Sequence, residues 1–156
     1  MNKLIPSQAN IRSTSKSSPL YNASILSDSL HLHFLTKLYH SSQSCASFID
    51  AVLLGKVWLR QRGFTGSYHS GGFGSFEWTW FLSYLLHGGG PNGRNVLDVT
   101  FSSFQLFRGA LNNLVTKDRI VGDVVACVDV DSGMNVFYKM TPASYKLVCA
   151  VMAGLM

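Results

Sequence analysis

Two cations one helical turn apart are the residues of this sequence best suited to hold a ligand. Lys56 and Arg60 are four residues apart in a segment with helical periodicity, so a helix projects both side chains from one face. Paired cations on a rigid element suit a phosphate group. Lys56 and Arg60 are therefore candidate phosphate-binding residues.

A glycine-rich turn follows the basic helix and opens the next one. Gly71, Gly72 and Gly74 precede Ser75 and Phe76. Glycine lets the backbone approach a ligand closely, and the free N–H groups of a helix start attract anions. The turn and the basic helix together predict a nucleotide phosphate site.

Both features also have a purely structural interpretation. The stems of the two cations can cover apolar surface, and their charges can pair with acids of a neighbouring domain. The glycines can serve a tight helix entry alone. This interpretation makes the constellation inherited structure, a vestigial rather than a working nucleotide site.

Catalytic and metal-binding constellations are not recognisable in the sequence. Nucleotidyl transfer needs carboxylates that hold divalent metals, and the first twenty residues contain no acid. Asp129 and Asp131 have the spacing of a metal pair, but turn-forming aspartates explain them more simply. The cysteines and histidines lack zinc-ligand spacing. We therefore predict a chain that is not an enzyme and has neither metal nor cofactor.

Composition indicates a surface covered by other molecules. Only 13% of the residues are charged, about half the usual ~25%, although 47% are hydrophobic. The net charge of +5 permits contact with RNA phosphates. Apolar runs are too short to span a bilayer, so we expect no membrane contact.

The hydrophobic pattern predicts a mainly α fold with a small β-hairpin. Residues 1–20 are expected to be a disordered lead-in, and residues 21–156 one helical domain truncated at its C-terminal end, where the last helix is still apolar. A turn at 131–133 is expected to join two strands. The predicted elements are helices at 24–39, 46–62, 75–87 and 103–116, strands at 124–130 and 134–139, and a last helix opened by Thr141-Pro142.

Particular residues mark the buried faces and ends of these helices. Gly55 predicts a close helix crossing, Gly63 a helix C-cap, and Ser75 an N-cap with Glu77 in the first turn. The expected apolar faces are Ile25, Leu32, Leu35 and Leu38 in the first helix, Phe48, Val52 and Leu59 in the second, and Phe104, Phe107 and Leu111 in the fourth.

Five ordered blocks carry a resemblance to a known family. They are YNASILSD at 21–28, GKVWLRQRGF at 55–64, HSGGFGSFE at 69–77, FSSFQLFR at 101–108 and NVFYKMTP at 135–142. Together they resemble the second domain of the nucleolar RNA-associated protein (Nrap) family of small-subunit processome components. The resemblance covers residues 21–146.

The resemblance implies a fold, a function and partners. It implies a helical unit like the substrate-binding lobe of poly(A) polymerases and oligoadenylate synthetases, alternating with nucleotidyltransferase-like domains in a large protein. Family members are regarded as non-catalytic nucleolar scaffolds in 18S rRNA maturation. Expected partners are other processome proteins, the flanking domains, and pre-rRNA or small nucleolar RNA.

The wider polymerase family also gives the basic helix and the glycine turn a role. Its Lys-x-x-x-Lys/Arg helix contacts the triphosphate, and its Gly-Gly-x-Gly-Ser-Tyr turn meets the nucleotide. Lys56, Arg60 and Ser75 match, but Phe76 replaces the tyrosine and Glu77 places a negative charge beside the turn. The resemblance thus implies a vestigial nucleotide site.

Three functions remain open on the sequence alone. The first is a non-catalytic scaffold module in ribosome assembly. The second is the nucleotide-binding lobe of an active nucleotidyltransferase completed by another domain. The third is a truncated fragment with no independent function.

Overall fold

Helices and one short hairpin make up the regular structure of the computed structural model, which describes residues 19–154. Two 3₁₀ turns, Tyr68–Ser70 and Pro91–Gly93, lie in the connecting loops. The helices are α1 (Pro19–Ser29), α2 (His31–Ser44), α3 (Phe48–Gln61), α4 (Ser75–Leu86), α5 (Ser103–Thr116) and α6 (Pro142–Ala153), and strands β1 (Ile120–Val121) and β2 (Val124–Val125) precede α6. The fold is mainly α, as predicted.

Helix α4 forms the centre of the core. Its sequence is apolar on nearly every side, and such a helix is stable only when neighbours surround it. Trp78, Trp80 and Phe81 are each at most 1% exposed. Helices α2, α3 and α5 all contact α4.

The α3–α4 crossing is as close as the sequence predicted. A Cβ atom at Gly55 would overlap the indole ring of Trp78. Phe48, Val52 and Leu59 are buried on the same side of α3, which confirms the predicted stripe. Gly63, with a φ of 73°, follows the helix in the left-handed conformation expected of a C-terminal glycine.

Helices α5 and α6 begin at the predicted signals. The Ser102 side chain accepts a hydrogen bond from the Gln105 backbone N–H, and the Gln105 side chain accepts one from the Ser102 N–H. Thr141 and Ser144 form the same reciprocal pair at the start of α6, with Pro142 in its first turn. These capping boxes satisfy N–H groups that have no partner within the helix.

The prediction of one first helix over residues 24–39 was wrong, because two helices meet at Leu30. Ser29 donates a hydrogen bond from its hydroxyl to the Leu26 carbonyl at 2.8 Å, a type of side-chain competition that bends helices. Helix α2 then extends to Ser44, beyond the predicted end at residue 39.

The predicted apolar face of this region was also largely wrong. Ile25, Leu32 and Leu35 are exposed, with Leu32 at 76%. Phe34 and Ser41 are the buried residues of α2 instead. The inward face of α2 is mixed, since it carries Phe34 and also Ser41, whose hydroxyl lies 2.6 Å from the Ser83 hydroxyl inside the protein. Only Leu38 of the four predicted residues packs against the core.

The predicted hairpin at 124–139 is reduced to a turn with one isolated bridge, between Val128 and Asn135. The Asn135 side chain accepts a hydrogen bond from the Cys127 N–H and donates one to the Val125 carbonyl. These bonds occupy backbone groups that a longer ladder would need. The two-stranded hairpin lies earlier, where β1 pairs antiparallel with β2 around Gly122.

Three further expectations concern single faces and the chain ends. Phe104 is 63% exposed rather than buried, whereas Leu111 is buried as predicted. The expected lead-in lies outside the described residues except for Pro19 and Leu20, which open α1. Among helices in the described range, none has the length and apolar character needed to cross a membrane.

Candidate functional site

Some of the predicted phosphate-binding residues line a cavity of about 570 Å³. We call this space the basic cavity. Lys56 and Arg60 of α3 form one wall, and Ser75 and Phe76 at the start of α4 form another. Four of the seven candidate residues therefore meet at one place.

The two α3 cations of the basic cavity are uncommitted. Lys56 is half-buried and Arg60 is exposed. Within residues 19–154, neither forms an ion pair, because the ion pairs found there involve His33, Lys37 and Lys139 instead. Both positive charges are available to an anion that enters the cavity.

The three glycines of the turn do not line the basic cavity. A Cβ atom at Gly72 would overlap the backbone of Lys139, and one at Gly74 would overlap the backbone of Gly66. Gly71, with a φ of 97°, adopts the left-handed conformation. The turn is glycine-rich because protein segments pack against it and because its backbone requires positive φ.

Glycine also replaces serine as the cap of α4. The N-cap is Gly74, and Ser75 is the first residue inside the helix, so the predicted serine cap was wrong. Glu77 supplies the missing side-chain cap, because its carboxylate accepts the Gly74 N–H at 3.0 Å. An extended Gly74 and a returning Glu77 together begin the helix.

Glu77 is a buried carboxyl group in the wall of the basic cavity. The residue is 2% exposed, and Nζ of Lys139 lies 3.8 Å from its Oε1. Burial raises the pKa of Glu77, while the Glu77 and Gly74 N–H groups and Lys139 oppose that rise. Lys139, which was not predicted as a site residue, thus brings a third cation to the cavity.

Phe76 presents part of its ring to the basic cavity. The residue is 37% exposed, and its ring meets the buried Phe34 ring edge to face, with centroids 5.8 Å apart. A partly exposed aromatic beside cations can pack against an apolar, planar group. The α1–α2 junction completes this side of the cavity with Asp28 and His31.

The aspartates with metal-like spacing lie in a separate cluster. One ligand atom each from His33, Asp129 and Asp131 lies within 4.8 Å of the others. Lys37, however, contacts both carboxylates, and its Nζ is 2.7 Å from Asp131. A protein cation therefore already pairs with both carboxylates.

Asp129 anchors α2 to the loop that follows β2. It is 1% exposed and accepts hydrogen bonds from Lys37, His33 and Ser132. Burial alone would raise the pKa of Asp129, but the bonds from Lys37, Ser132 and His33 outweigh it and hold the pKa at about 2. This cluster joins residues more than ninety positions apart.

Comparison with known proteins identifies the family of this chain. The family model described as the Nrap protein PAP/OAS-like domain matches residues 47–126, from the start of α3 to just after β2. The chain belongs to the Nrap family. The match includes both walls of the basic cavity.

Curated relatives of this Nrap domain are nucleolar proteins by name. U3 small nucleolar RNA-associated protein 22 of Saccharomyces cerevisiae is 43% identical over 127 residues, which cover 74% of this chain and 10% of the relative. Nucleolar protein 6 of Xenopus tropicalis is 34% identical over 116 residues, which cover 74% of this chain and 9% of the relative. The chain thus spans about a tenth of the length of these relatives.

Proposed function

We propose that this Nrap domain is a non-catalytic scaffold module that acts in the nucleolus, in the small-subunit processome that matures 18S rRNA. The observation that carries the proposal is the Nrap family match together with relatives named for the nucleolus and for U3 small nucleolar RNA. Its partners are other processome proteins, the flanking nucleotidyltransferase-like domains, and RNA of the particle.

Exposed apolar surface supports a role in protein assembly. The outward side of α2 carries Leu32, Leu35 and Tyr39, whose exposures are 76%, 48% and 62%. Free-standing soluble proteins rarely leave large contiguous apolar patches open to water, and such patches mark interaction sites. We call Leu32, Leu35 and Tyr39 the α2 stripe.

A second apolar surface lies between α3 and α5. Leu53, Leu54 and Val57 of α3 face Phe104 and Phe107 of α5 across a groove of about 560 Å³. Leu53, Val57 and Phe104 are each more than half exposed. Two apolar surfaces on different helices suit a module that touches more than one neighbour.

The carboxylates of the chain support a role without catalysis. Metal-dependent nucleotidyl transfer needs acids that hold metal ions beside the triphosphate. Within the described part of the chain, Asp129 and Asp131 form the pair with suitable spacing, and Lys37 already contacts both. Neither aspartate lines the basic cavity.

Affinity purification tests the scaffold role. The tagged chain should enrich U3 small nucleolar RNA from nucleolar extract over a tag-only control, measured by quantitative reverse-transcription PCR. Leu35→Glu should reduce the enrichment because it charges the α2 stripe, whereas Thr36→Glu, at an exposed neighbouring position, should not. A stably folded chain that recovers neither U3 RNA nor nucleolar proteins would refute the proposal.

A further inference from the structure

The basic cavity is lined by three cations, Lys56, Arg60 and Lys139, and by two acids, Glu77 and the exposed Asp28, so three positive and two negative charges leave a formal charge of +1. Lys139 lies 3.8 Å from Glu77, so its charge is already opposed. Lys56 and Arg60 remain, held one turn apart on α3, and neither has an ion-pair partner among residues 19–154. Two adjacent cations match one phosphate group.

The start of α4, which faces the cavity, already has a negatively charged group, the Glu77 carboxylate. Free N–H groups at a helix N-terminus commonly bind phosphate. Here the buried Glu77 carboxylate accepts the Gly74 N–H and lies 3.8 Å from Nζ of Lys139. Glu77 and Lys139 oppose each other's charge there, so the helix start offers no uncompensated positive charge to a second anion.

The ligand that fits this charge distribution presents one phosphate group at a time to the cavity. A nucleoside triphosphate brings about four negative charges, more than two free cations offset, whereas each phosphodiester of RNA carries a single charge. Single-strand binders combine cations that follow the backbone with aromatic rings that stack on bases. Phe76, 37% exposed at the cavity wall, supplies such a ring, which an acidic peptide would not require.

We propose that the basic cavity binds one phosphodiester of single-stranded RNA at Lys56 and Arg60, and that Glu77 excludes nucleoside triphosphates from it. The inference rests on the proposed function, which brings the chain into contact with RNA. Glu77 is then a specificity-determining residue, while the glycines of the turn hold its backbone in place.

RNA binding by the purified chain tests the cation pair. Fluorescence anisotropy with a labelled ten-nucleotide oligouridylate should show saturable binding. Lys56→Ala and Arg60→Ala should each weaken the RNA affinity about tenfold. Each should also reduce the slope of log affinity against log salt concentration by about one. Arg108→Ala and Lys146→Ala remove exposed cations outside the cavity and serve as matched controls. Equal losses in all four variants would overturn the site.

Competition experiments test the selectivity. Unlabelled oligouridylate should displace the probe from the unmutated chain at lower concentration than ATP with magnesium, and polyglutamate should displace it poorly. ATP or polyglutamate competing as well as RNA would overturn the proposal. Glu77→Gln keeps the cap acceptor and removes the charge, so ATP should compete about tenfold better. Asp28→Asn, at an exposed cavity position, should change ATP competition less.

Two readouts keep this inference separate from the scaffold role. If Glu77→Gln fails to fold, as judged by circular dichroism, the competition series on the unmutated chain still decides the selectivity. A chain that enriches U3 RNA from extract but binds no oligouridylate when purified would overturn the RNA site and leave the scaffold role standing. A chain that binds oligouridylate but enriches no nucleolar component would do the reverse.

Discussion

Gly55 of α3 lies so close to Trp78 of α4 that a Cβ atom on the glycine would overlap Nε1 and Cε2 of the indole. The Trp78 indole N–H also points at α3, where it donates to the Ala51 carbonyl at 3.4 Å. The α3–α4 crossing brings Lys56 toward the start of α4. It therefore depends on a residue without a Cβ atom at position 55.

We predict that Gly55→Ala lowers the free energy of unfolding by about 2 kcal/mol. Alanine would favour the helix by about 1 kcal/mol, but forcing the Trp78 ring aside costs more. Urea denaturation measures the difference. Gly109→Ala in α5 is the matched control, because its Cβ would meet only the Leu97 Cδ2 atom, at 2.6 Å, and that methyl group can move. Equal effects of the two substitutions would contradict the crossing.

The glycine turn gives a second prediction. Gly74→Ala should destabilise the chain by more than 2 kcal/mol, because the new Cβ would overlap the Gly66 backbone, which cannot rotate away. Gly71→Ala should cost about 1 kcal/mol, since its Cβ would have nothing nearer than 3.8 Å and only positive φ opposes it. Thermal denaturation compares them. A stable Gly74→Ala variant would mean that the turn does not serve protein packing.

Stability below pH 4 should depend on Asp129. Its folded pKa of about 2 lies below the ordinary value of 3.8, so the stabilisation is complete above pH 3.8 and is lost as the pH falls toward 2. This difference contributes about 2 kcal/mol. Asp129→Asn should remove this part of the pH dependence, as measured by urea denaturation between pH 2 and 5. Asp123→Asn, an exposed control on the β1–β2 turn, should preserve it.

Mutations on the two sides of α2 should change the free energy of unfolding by different amounts. Phe34→Ala should lower the free energy of unfolding by about 3 kcal/mol, because Phe34 is 1% exposed and its removal leaves a cavity. Leu32→Ala should change it by less than 1 kcal/mol, because Leu32 is 76% exposed. Chemical denaturation of both variants checks this. A larger loss for Leu32→Ala would show that the sequence-based face was the correct one.

The sequence predicted best the helices whose ends are fixed by residues within one turn of them. Helix α5 has its predicted bounds, and α6 begins at the predicted Thr141 cap followed by Pro142. Caps act within one turn, so neighbouring residues are enough to reveal them. The second helix was also correct because its buried stripe, including Phe48 and Val52, has regular helical spacing.

The features that the sequence did not reveal depend on contacts between residues far apart in the chain. The burial of polar Ser41 depends on Ser83, and Lys37 pairs with residues that follow β2. Hydrophobic periodicity assigns leucines to the core and cannot detect such bonds. Lys139 reaches the basic cavity for the same reason, because only the folded chain brings the segment before α6 beside Gly72 and Glu77.

The bond between Lys37 and Asp129 sets an order of events during synthesis. Its two partners are separated by 92 residues, so α2 cannot complete its inner contacts until the chain through Ser132 has left the ribosome. At about 5–20 residues per second, the inward face of α2 lacks these partners for roughly 5–20 seconds. During that interval a chaperone can reach a face of the helix that the folded protein covers.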